Sequence, residues 1–257
     1  MVVGSLLITG ASGYLGSHLV NALDLSKYEE VVLLDRHFKA DRIKATGFKI
    51  KEADLTKHFE LDLKSFDTVI HCAYLADNEA ELKFIIKLNK HANIILFSSA
   101  AVYGENTGNY LDTDSVCKPI NRYGLNKFKL ENFVRAAYKD HAILRIANPY
   151  GKEYSVRGFY QIAKQKLDHN EFLSINSDKA NQVVRDFIHI DELIKQIKEI
   201  IEKKATGTFN ISTGIGQTLE GFLEKELNGF DSSLIHYKGL NNDEIKNSIL
   251  KPTLCLS

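Results

Sequence analysis

The opening of the chain is its strongest constraint: an apolar run, Ser5-Leu6-Leu7-Ile8-Thr9, meets Gly10-Ala11-Ser12-Gly13-Tyr14-Leu15-Gly16, and a helix-like stretch follows. The order predicts a buried strand, a tight turn at Gly10 and a helix that starts near Gly13. Gly13 has no Cβ to block a pyrophosphate, and Gly16 lets the helix pack closely on the strand. The helix N-terminus then offers unpaired N–H groups and a positive dipole end to phosphates. A second apolar run, Val31-Val32-Leu33-Leu34, ends at Asp35, 19 residues past Gly16, near the spacing at which a carboxylate reaches the ribose hydroxyls of an adenosine. Together these features predict a dinucleotide site built from Gly10, Ser12, Gly13, Tyr14, Leu15, Gly16, Asp35 and Arg36.

Lys plus Arg and Asp plus Glu number 33 each in 257 residues, so no net charge points to nucleic acid or to an acidic membrane surface. A small molecule is the expected partner. Cys72, Cys117 and Cys255 are widely spaced with no C-x-x-C pair, and the nine histidines form no H-E-x-x-H, so neither a disulfide framework nor a metal site is expected. The apolar N-terminal run is broken by Gly10 far short of a membrane span and has no basic segment before it. The expectation is a soluble, cytoplasmic protein with no membrane partner.

Short β-branched runs alternate with amphipathic stretches, the pattern of parallel strands joined by helical crossovers. Strands are expected over Ser5–Thr9, Val31–Asp35, Phe48–Glu52, Thr68–Cys72, Asn93–Phe97 and Ala142–Arg145. Their continuous apolar character fits a sheet covered on both faces. After Pro149 come a helix near Phe159–Leu167, a strand over Val183–Ile190, a helix over Asp191–Lys204 and a strand, Thr208–Ser212, that returns to the main sheet. The fold class expected is α/β, a Rossmann-type doubly wound parallel sheet with a small interleaved C-terminal lobe. Residues 1–150 form the dinucleotide-binding domain, with about 191–214 returning to it, and 151–190 with 215–257 form the substrate lobe.

Ligands of open α/β sheets sit outside the carboxyl ends of the strands, and the fifth strand ends in Ser98-Ser99-Ala100-Ala101-Val102-Tyr103-Gly104. Downstream, Arg122-Tyr123-Gly124-Leu125-Asn126-Lys127 opens a helix on which positions 123, 127, 130, 134 and 137 share one face. Leu130, Val134 and Ala137 would anchor that face to the core. An ammonium beside a phenol stabilises the phenolate, so Tyr123 next to Lys127 could exchange a proton with a substrate hydroxyl held by Ser99. A second Tyr-x-x-x-Lys, Tyr160 with Lys164, lacks the upstream serine and reads as a surface helix.

The glycine motif, Asp54-Leu55, His71-Cys72-Ala73, the Ser98 to Gly104 segment, Tyr123-x-x-x-Lys127, Arg145-x-x-Asn148-Pro149-Tyr150-Gly151 and Arg185-Asp186-Phe187-Ile188-His189-Ile190-Asp191 occur in order. In this series the chain resembles the extended short-chain dehydrogenase/reductases, in particular the nucleotide-sugar epimerase/dehydratase family. The resemblance implies catalysis by Ser99, Tyr123 and Lys127, the latter two also touching the cofactor. It implies adenine contact by Asp54 and Leu55, and Ala73 against the nicotinamide ribose. It places Ala100 and Tyr103 on the substrate side, and Asn148 and Arg185 at the diphosphate of a nucleotide-sugar. Plainer roles stay open: Asp54 could cap a turn, Arg185 could form a surface ion pair, and His71 reads as a satisfied strand-end side chain. By analogy with the family, helices near Asn78–His91 and Asn121–Tyr138 would form a homodimer.

Members that dehydrate the sugar carry an Asp-Glu pair directly after the active-site hydroxyl residue, whereas this chain has Ala100-Ala101, which cannot move a proton. A 4-keto-sugar reductase or a 4-epimerase remains. The C-terminal part is short for the family and no arginine follows Arg185, leaving Lys238 or Lys246 as weaker substitutes for a second diphosphate ligand. The reductase is therefore the favoured reading. Asp35 favours NAD and Arg36 could hold the 2′-phosphate of NADP; NAD is favoured. A non-catalytic NAD(P) sensor is the reading from another class, and the presence of both Tyr123 and Lys127 counts against it.

Overall fold

Short apolar runs become the strands of a seven-stranded sheet in the computed structural model, which describes residues 4–104, 110–151, 158–177, 182–227, 229–239 and 245–253. Cys255 lies outside them. The chain forms Ser5–Thr9 (β1), Tyr14–Ala22 (α1), Glu30–Asp35 (β2), Lys49–Glu52 (β3), Thr68–His71 (β4), Asn78–Ile86 (α2), Asn93–Ser99 (β5), Arg122–Ala137 (α3) and His141–Ile146 (β6). Then come Asn148–Tyr150 (β7), Phe159–Asp168 (α4), Leu173–Ile175 (β8), Val184–His189 (β9), Ile190–Glu202 (α5), Gly207–Ile211 (β10), Gly216–Thr218 (β11), Leu219–Glu226 (α6), Ile235–Tyr237 (β12) and Asn247–Ser248 (β13).

The main sheet runs β10-β6-β5-β4-β1-β2-β3. β1 pairs in parallel with β2, Leu6 opposite Val31, and with β4, Leu6 opposite Thr68. The chain therefore leaves β1 toward one edge and returns through β4 toward the other, which opens a crevice at the carboxyl ends of β1 and β4. β1, β2, β4, β5 and β6 are buried along most of their length, as their sequences predict. β3 departs from that expectation: Lys49-Ile50-Lys51-Glu52 is an edge strand with Ile50 51% exposed. Charges on an edge strand discourage pairing with another chain.

Two compact units divide the chain: residues 1–98, 126–145 and 194–209 form the first, and 99–125, 146–193 and 210–257 the second. The core of the first joins Leu7, Val32, Leu34, Val69, Ile94 and Leu96 of the sheet to Phe84 and Ile85 of α2 and Leu130, Val134 and Tyr138 at α3. Burial of each such side chain contributes about 1.5–3 kcal/mol. Ala137 does not share this role, because it is exposed. Tyr138 turns inward in its place and donates from its hydroxyl to the Ile85 carbonyl at 2.5 Å. The second unit has its own core, in which Tyr160, Leu167, Ile175, Phe187, Phe222 and Leu223 meet. Tyr160 is thus buried rather than on a surface helix, whereas Lys164 is exposed and pairs with Asp168. α4 is amphipathic, and its tyrosine lies on the inner face.

Among the described residues, no helix is long and apolar enough to cross a membrane, and no group of His, Cys, Asp and Glu could hold a metal ion.

Candidate active site

In the first unit, β1 ends at Gly10, whose φ of +63° suits glycine and whose Cβ, were there one, would lie 2.8 Å from the Ala73 nitrogen. A Cβ on Gly16 would lie 2.1 Å from the Gly10 carbonyl, so the turn closes only with glycine there. α1 begins at Gly13 with no side chain capping its first N–H groups. The helix end therefore presents bare donors and its positive dipole end to the crevice. Asp35, at the end of β2, accepts from the Ser12 N–H and hydroxyl through Oδ2, at 2.9 Å each, and from the Arg36 N–H through Oδ1 at 2.8 Å. The carboxylate therefore braces the glycine turn as well as facing the crevice.

The crevice is a cavity of about 240 Å³ lined by Gly10, Gly13, Asp35, Arg36, Asp54, Leu55, Cys72, Ala73, Tyr74 and neighbouring main chain. It brings together residues that the sequence places on four separate strand ends. Asp54 both lines it and caps a turn, accepting from the Thr56 N–H at 3.0 Å and hydroxyl at 2.7 Å. Those bonds, the hydroxyl's first, hold its carboxyl below the usual range. Glycine backbone, bare helix donors and a carboxylate at the strand end are the donor set a dinucleotide requires, and the residues present fit one. Replacing Asp35 by Asn keeps the bond to Ser12 and removes the charge that repels a 2′-phosphate. Asp35→Asn is expected to improve NADPH binding relative to NADH by about tenfold in titrations of cofactor fluorescence. A wild-type protein that already prefers NADPH would assign control to Arg36 instead.

Lys127 is 3% exposed, with Nζ 3.4 Å from Glu81 Oε1 and 5.3 Å from the centroid of the Tyr74 ring. Glu81 also bonds His71 at 3.1 Å, and His71 bonds the Thr9 hydroxyl at 2.8 Å. His71 is fully buried, which pushes its pKa down despite Glu81 and leaves a neutral ring. Burial pushes the Cys72 thiol far up, so it stays protonated. Glu131 lies one turn beyond Lys127 on α3, is 0% exposed, and accepts from Ser98 Oγ at 2.5 Å, Arg145 at 2.9 Å and Arg135 at 2.7 Å. The motifs of the sequence singled out neither Glu81 nor Glu131. An acidic residue at a core-facing helical position is the one signal that could have found Glu131.

In the second unit, Ser99 closes β5 and its Oγ accepts from the Ala101 N–H at 3.2 Å. Asn121 caps the start of α3 by accepting from the Gly124 N–H at 2.8 Å. A Cβ on Gly124 would lie 2.3 Å from the Ala101 carbonyl, so glycine lets the first turn of α3 rest on the turn after Ser99. Tyr123, beside that contact, is 39% exposed. Its position is one helical turn before Lys127. Ala100 is buried in the same turn, and Tyr103 is 1% exposed with its hydroxyl donated to Asn210 at 2.6 Å.

A second cavity, about 290 Å³, is lined within this unit by Asn148, Phe159, Ser174, Ile175, Asn176, Arg185, Phe187 and Leu219. Asn148 and Arg185, to which the resemblance assigns the diphosphate, both line it, while Ser174 and Asn176 carried no motif. Arg185 is held by main chain, its guanidinium donating to the carbonyls of Val184 and Lys246 at 3.0 Å each. Neither Lys238 nor Lys246 is among the lining residues. Apolar walls, two amides and one guanidinium suit a flat heterocycle joined to a phosphate.

The chain is similar to known proteins over most of its length. The chain is 25% identical to an ADP-L-glycero-D-manno-heptose-6-epimerase of Brachyspira hyodysenteriae, across 85% of this chain and 78% of the relative. A UDP-glucose 4-epimerase of Thermotoga maritima, solved with UDP-glucose, superposes with a TM-score of 0.76 at 25% identity, covering 97% of this chain and 90% of that one. A UDP-N-acetylglucosamine 4-epimerase of Methanobrevibacter ruminantium, solved with UDP-N-acetylmuramic acid, gives 0.76 at 25% identity, with 98% and 91% covered. The profile of one family matches residues 6–212, and by that match the chain belongs to the NAD-dependent epimerase/dehydratase family.

Proposed function

We propose that this protein binds NAD in the glycine-lined crevice and acts on a nucleotide-sugar, as a 4-keto-sugar reductase that uses Ser99, Tyr123 and Lys127. NAD, when bound, donates or accepts the hydride. The chain supplies the rest. Gly10, Gly13 and Gly16 with the start of α1 hold the pyrophosphate, Asp35 the ribose and Asp54 with Leu55 the adenine. Ser99 holds the reacting oxygen, Tyr123 gives it a proton, and Lys127 stabilises the phenolate left behind. Asn148 and Arg185 hold the diphosphate, with Ala100 as part of the wall behind the sugar.

The observation that sets a dehydratase aside, and leaves hydride transfer at one carbon, is the turn after Ser99. Its Ala100-Ala101 offers no acid or base, so no group there removes water from a neighbouring carbon, and chemistry stays at a single carbon. Support for the reductase comes from the second cavity, where Arg185 is the one guanidinium among the described lining residues, and from the absence of arginine between Asp186 and Ser257. One guanidinium holds a diphosphate less firmly than two, and a keto sugar held loosely leaves before it can turn over.

With a nucleotide-4-keto-sugar and limiting NADH, absorbance at 340 nm is expected to fall in proportion to product, one reduced cofactor per sugar. The epimerase relatives favour a second reading. Conversion of a non-keto nucleotide-sugar to its C4 epimer with catalytic NAD and no net bleaching would establish that reading in place of ours. Tight cofactor binding without turnover of either substrate class would instead indicate a sensor.

The same proposal assigns cofactor binding to residues 1–150 with 191–214, supported by the lining of the crevice from residues 10–75, and substrate binding to 151–190 with 215–257. Exposed Ile86 on α2 and Leu125 on α3 support a homodimer, and the proposal places the protein in the cytoplasm.

A further inference from the structure

We propose that Glu81 is a positioning residue that acts as the counter-charge of Lys127 and so sets how strongly the crevice discriminates oxidised from reduced cofactor. The proposal rests on the assignment of the crevice to NAD, but not on any substrate or reaction. Nothing in the motif series includes Glu81, which lies on α2, outside the glycine turn and outside the serine, tyrosine and lysine set.

Three observations lead to it. Glu81 is 1% exposed, and such a carboxylate survives burial only if its charge is answered. Its Oε1 receives Lys127 Nζ at 3.4 Å and His71 Nε2 at 3.1 Å. His71 is a neutral donor: Thr9 gives its hydroxyl proton to Nδ1 at 2.8 Å, while the Thr9 oxygen accepts from the Ala73 N–H at 3.4 Å. Burial works to raise the Glu81 pKa, yet the bond from His71 and the charge of Lys127 outweigh it and leave it lowered, so the carboxylate is ionised. The pair is therefore one cation and one anion with a neutral imidazole between β1 and α2.

This pair adjoins the crevice. Lys127 Nζ lies 5.3 Å from the ring centroid of Tyr74, which lines it together with Cys72 and Ala73. The oxidised nicotinamide carries one more positive charge than the reduced ring. An unanswered ammonium in this low-dielectric wall would therefore disfavour NAD⁺ relative to NADH, and Glu81 cancels most of that field while fixing the amine in place. Charge balance at the wall keeps both redox forms bound.

The test is the ratio of dissociation constants, Kd(NAD⁺)/Kd(NADH), from calorimetry and nicotinamide fluorescence, with no substrate present. Glu81→Gln keeps an acceptor for His71 Nε2–H and removes only the charge. It is expected to raise the ratio by about tenfold. Lys127→Met, which leaves the Glu81 anion unanswered, lowers it below that of the wild type, and the double variant, with both charges gone, returns it to near that of the wild type. An unchanged ratio in a Glu81→Gln protein that melts as the wild type does would overturn the proposal. Should Glu81→Gln fail to fold, Glu81→Asp, which keeps the charge, is expected to keep the wild-type ratio, and a tenfold change there would equally overturn it. No binding of either cofactor form by the wild type would count instead against the assignment of the crevice.

Discussion

Tyr123→Phe is expected to lower kcat by about 10²-fold or more, with the dissociation constant for NADH nearly unchanged. The substitution removes one oxygen from a side chain that is 39% exposed, so little packing is lost and the fold is expected to survive. A general acid contributes only when a proton moves in the transition state, which is why the loss falls on turnover rather than on binding. Tyr160→Phe is the matched control, because Tyr160 shares the Tyr-x-x-x-Lys spacing but is 8% exposed among Tyr150 and Phe222. Its kcat is expected to stay within about twofold of wild type, since no reacting group can be brought to a phenol committed to a core. Turnover of Tyr123→Phe within a few-fold of wild type would remove Tyr123 from its role.

Much of the fold is legible because its cause is local. A run such as Val31-Val32-Leu33-Leu34 can satisfy its apolar side chains on both faces only in a covered parallel sheet, and β2 pairs on both sides as that requires. The glycine turn is equally local, since the contacts that forbid a Cβ on Gly16 come from Gly10 and Ala11, a few residues away. Asp35 was legible by its position at a strand end. Its bonds to Ser12 were not, because they arise only when two parallel strands bring both carboxyl ends together.

Residues that depend on distant partners were hidden for the same reason. Glu81 and Lys127 are 46 positions apart, and Glu131 and Ser98 are 33 apart. A carboxylate in sequence reads as surface until the partners that allow its burial are known. The misplacement of Ala137 has a different origin: positions three and four apart share a helical face, and the larger aromatic Tyr138, four past Val134, takes the core position. Ser174 and Asn176 enter the second cavity through a three-residue strand, β8, too short to carry a periodic pattern.

Glu131→Leu is expected to cost about 3–5 kcal/mol of stability, the largest single effect of any substitution considered for this chain. The carboxylate is 0% exposed and holds three elements at once: Ser98 at the end of β5, Arg145 on β6 and Arg135 on its own helix. Arg135 is about one-third exposed and can turn to water, but the Arg145 side chain is 4% exposed and has no such exit. Leucine replaces the volume and takes from that buried guanidinium the carboxylate that answers most of its charge, so the penalty falls chiefly on the buried charge of Arg145 rather than on the lost pair itself. Glu131→Leu combined with Arg145→Met removes both charges and is expected to recover most of the loss, a non-additivity that urea titration measures directly. A single variant that loses less than about 1 kcal/mol, or a double variant no better than the single, would mean that Arg145 finds another partner. Because Lys127 stands one turn before Glu131, the single variant is also expected to weaken cofactor binding before it unfolds, whereas the double variant, with α3 packed again on β5 and β6, is expected to restore it.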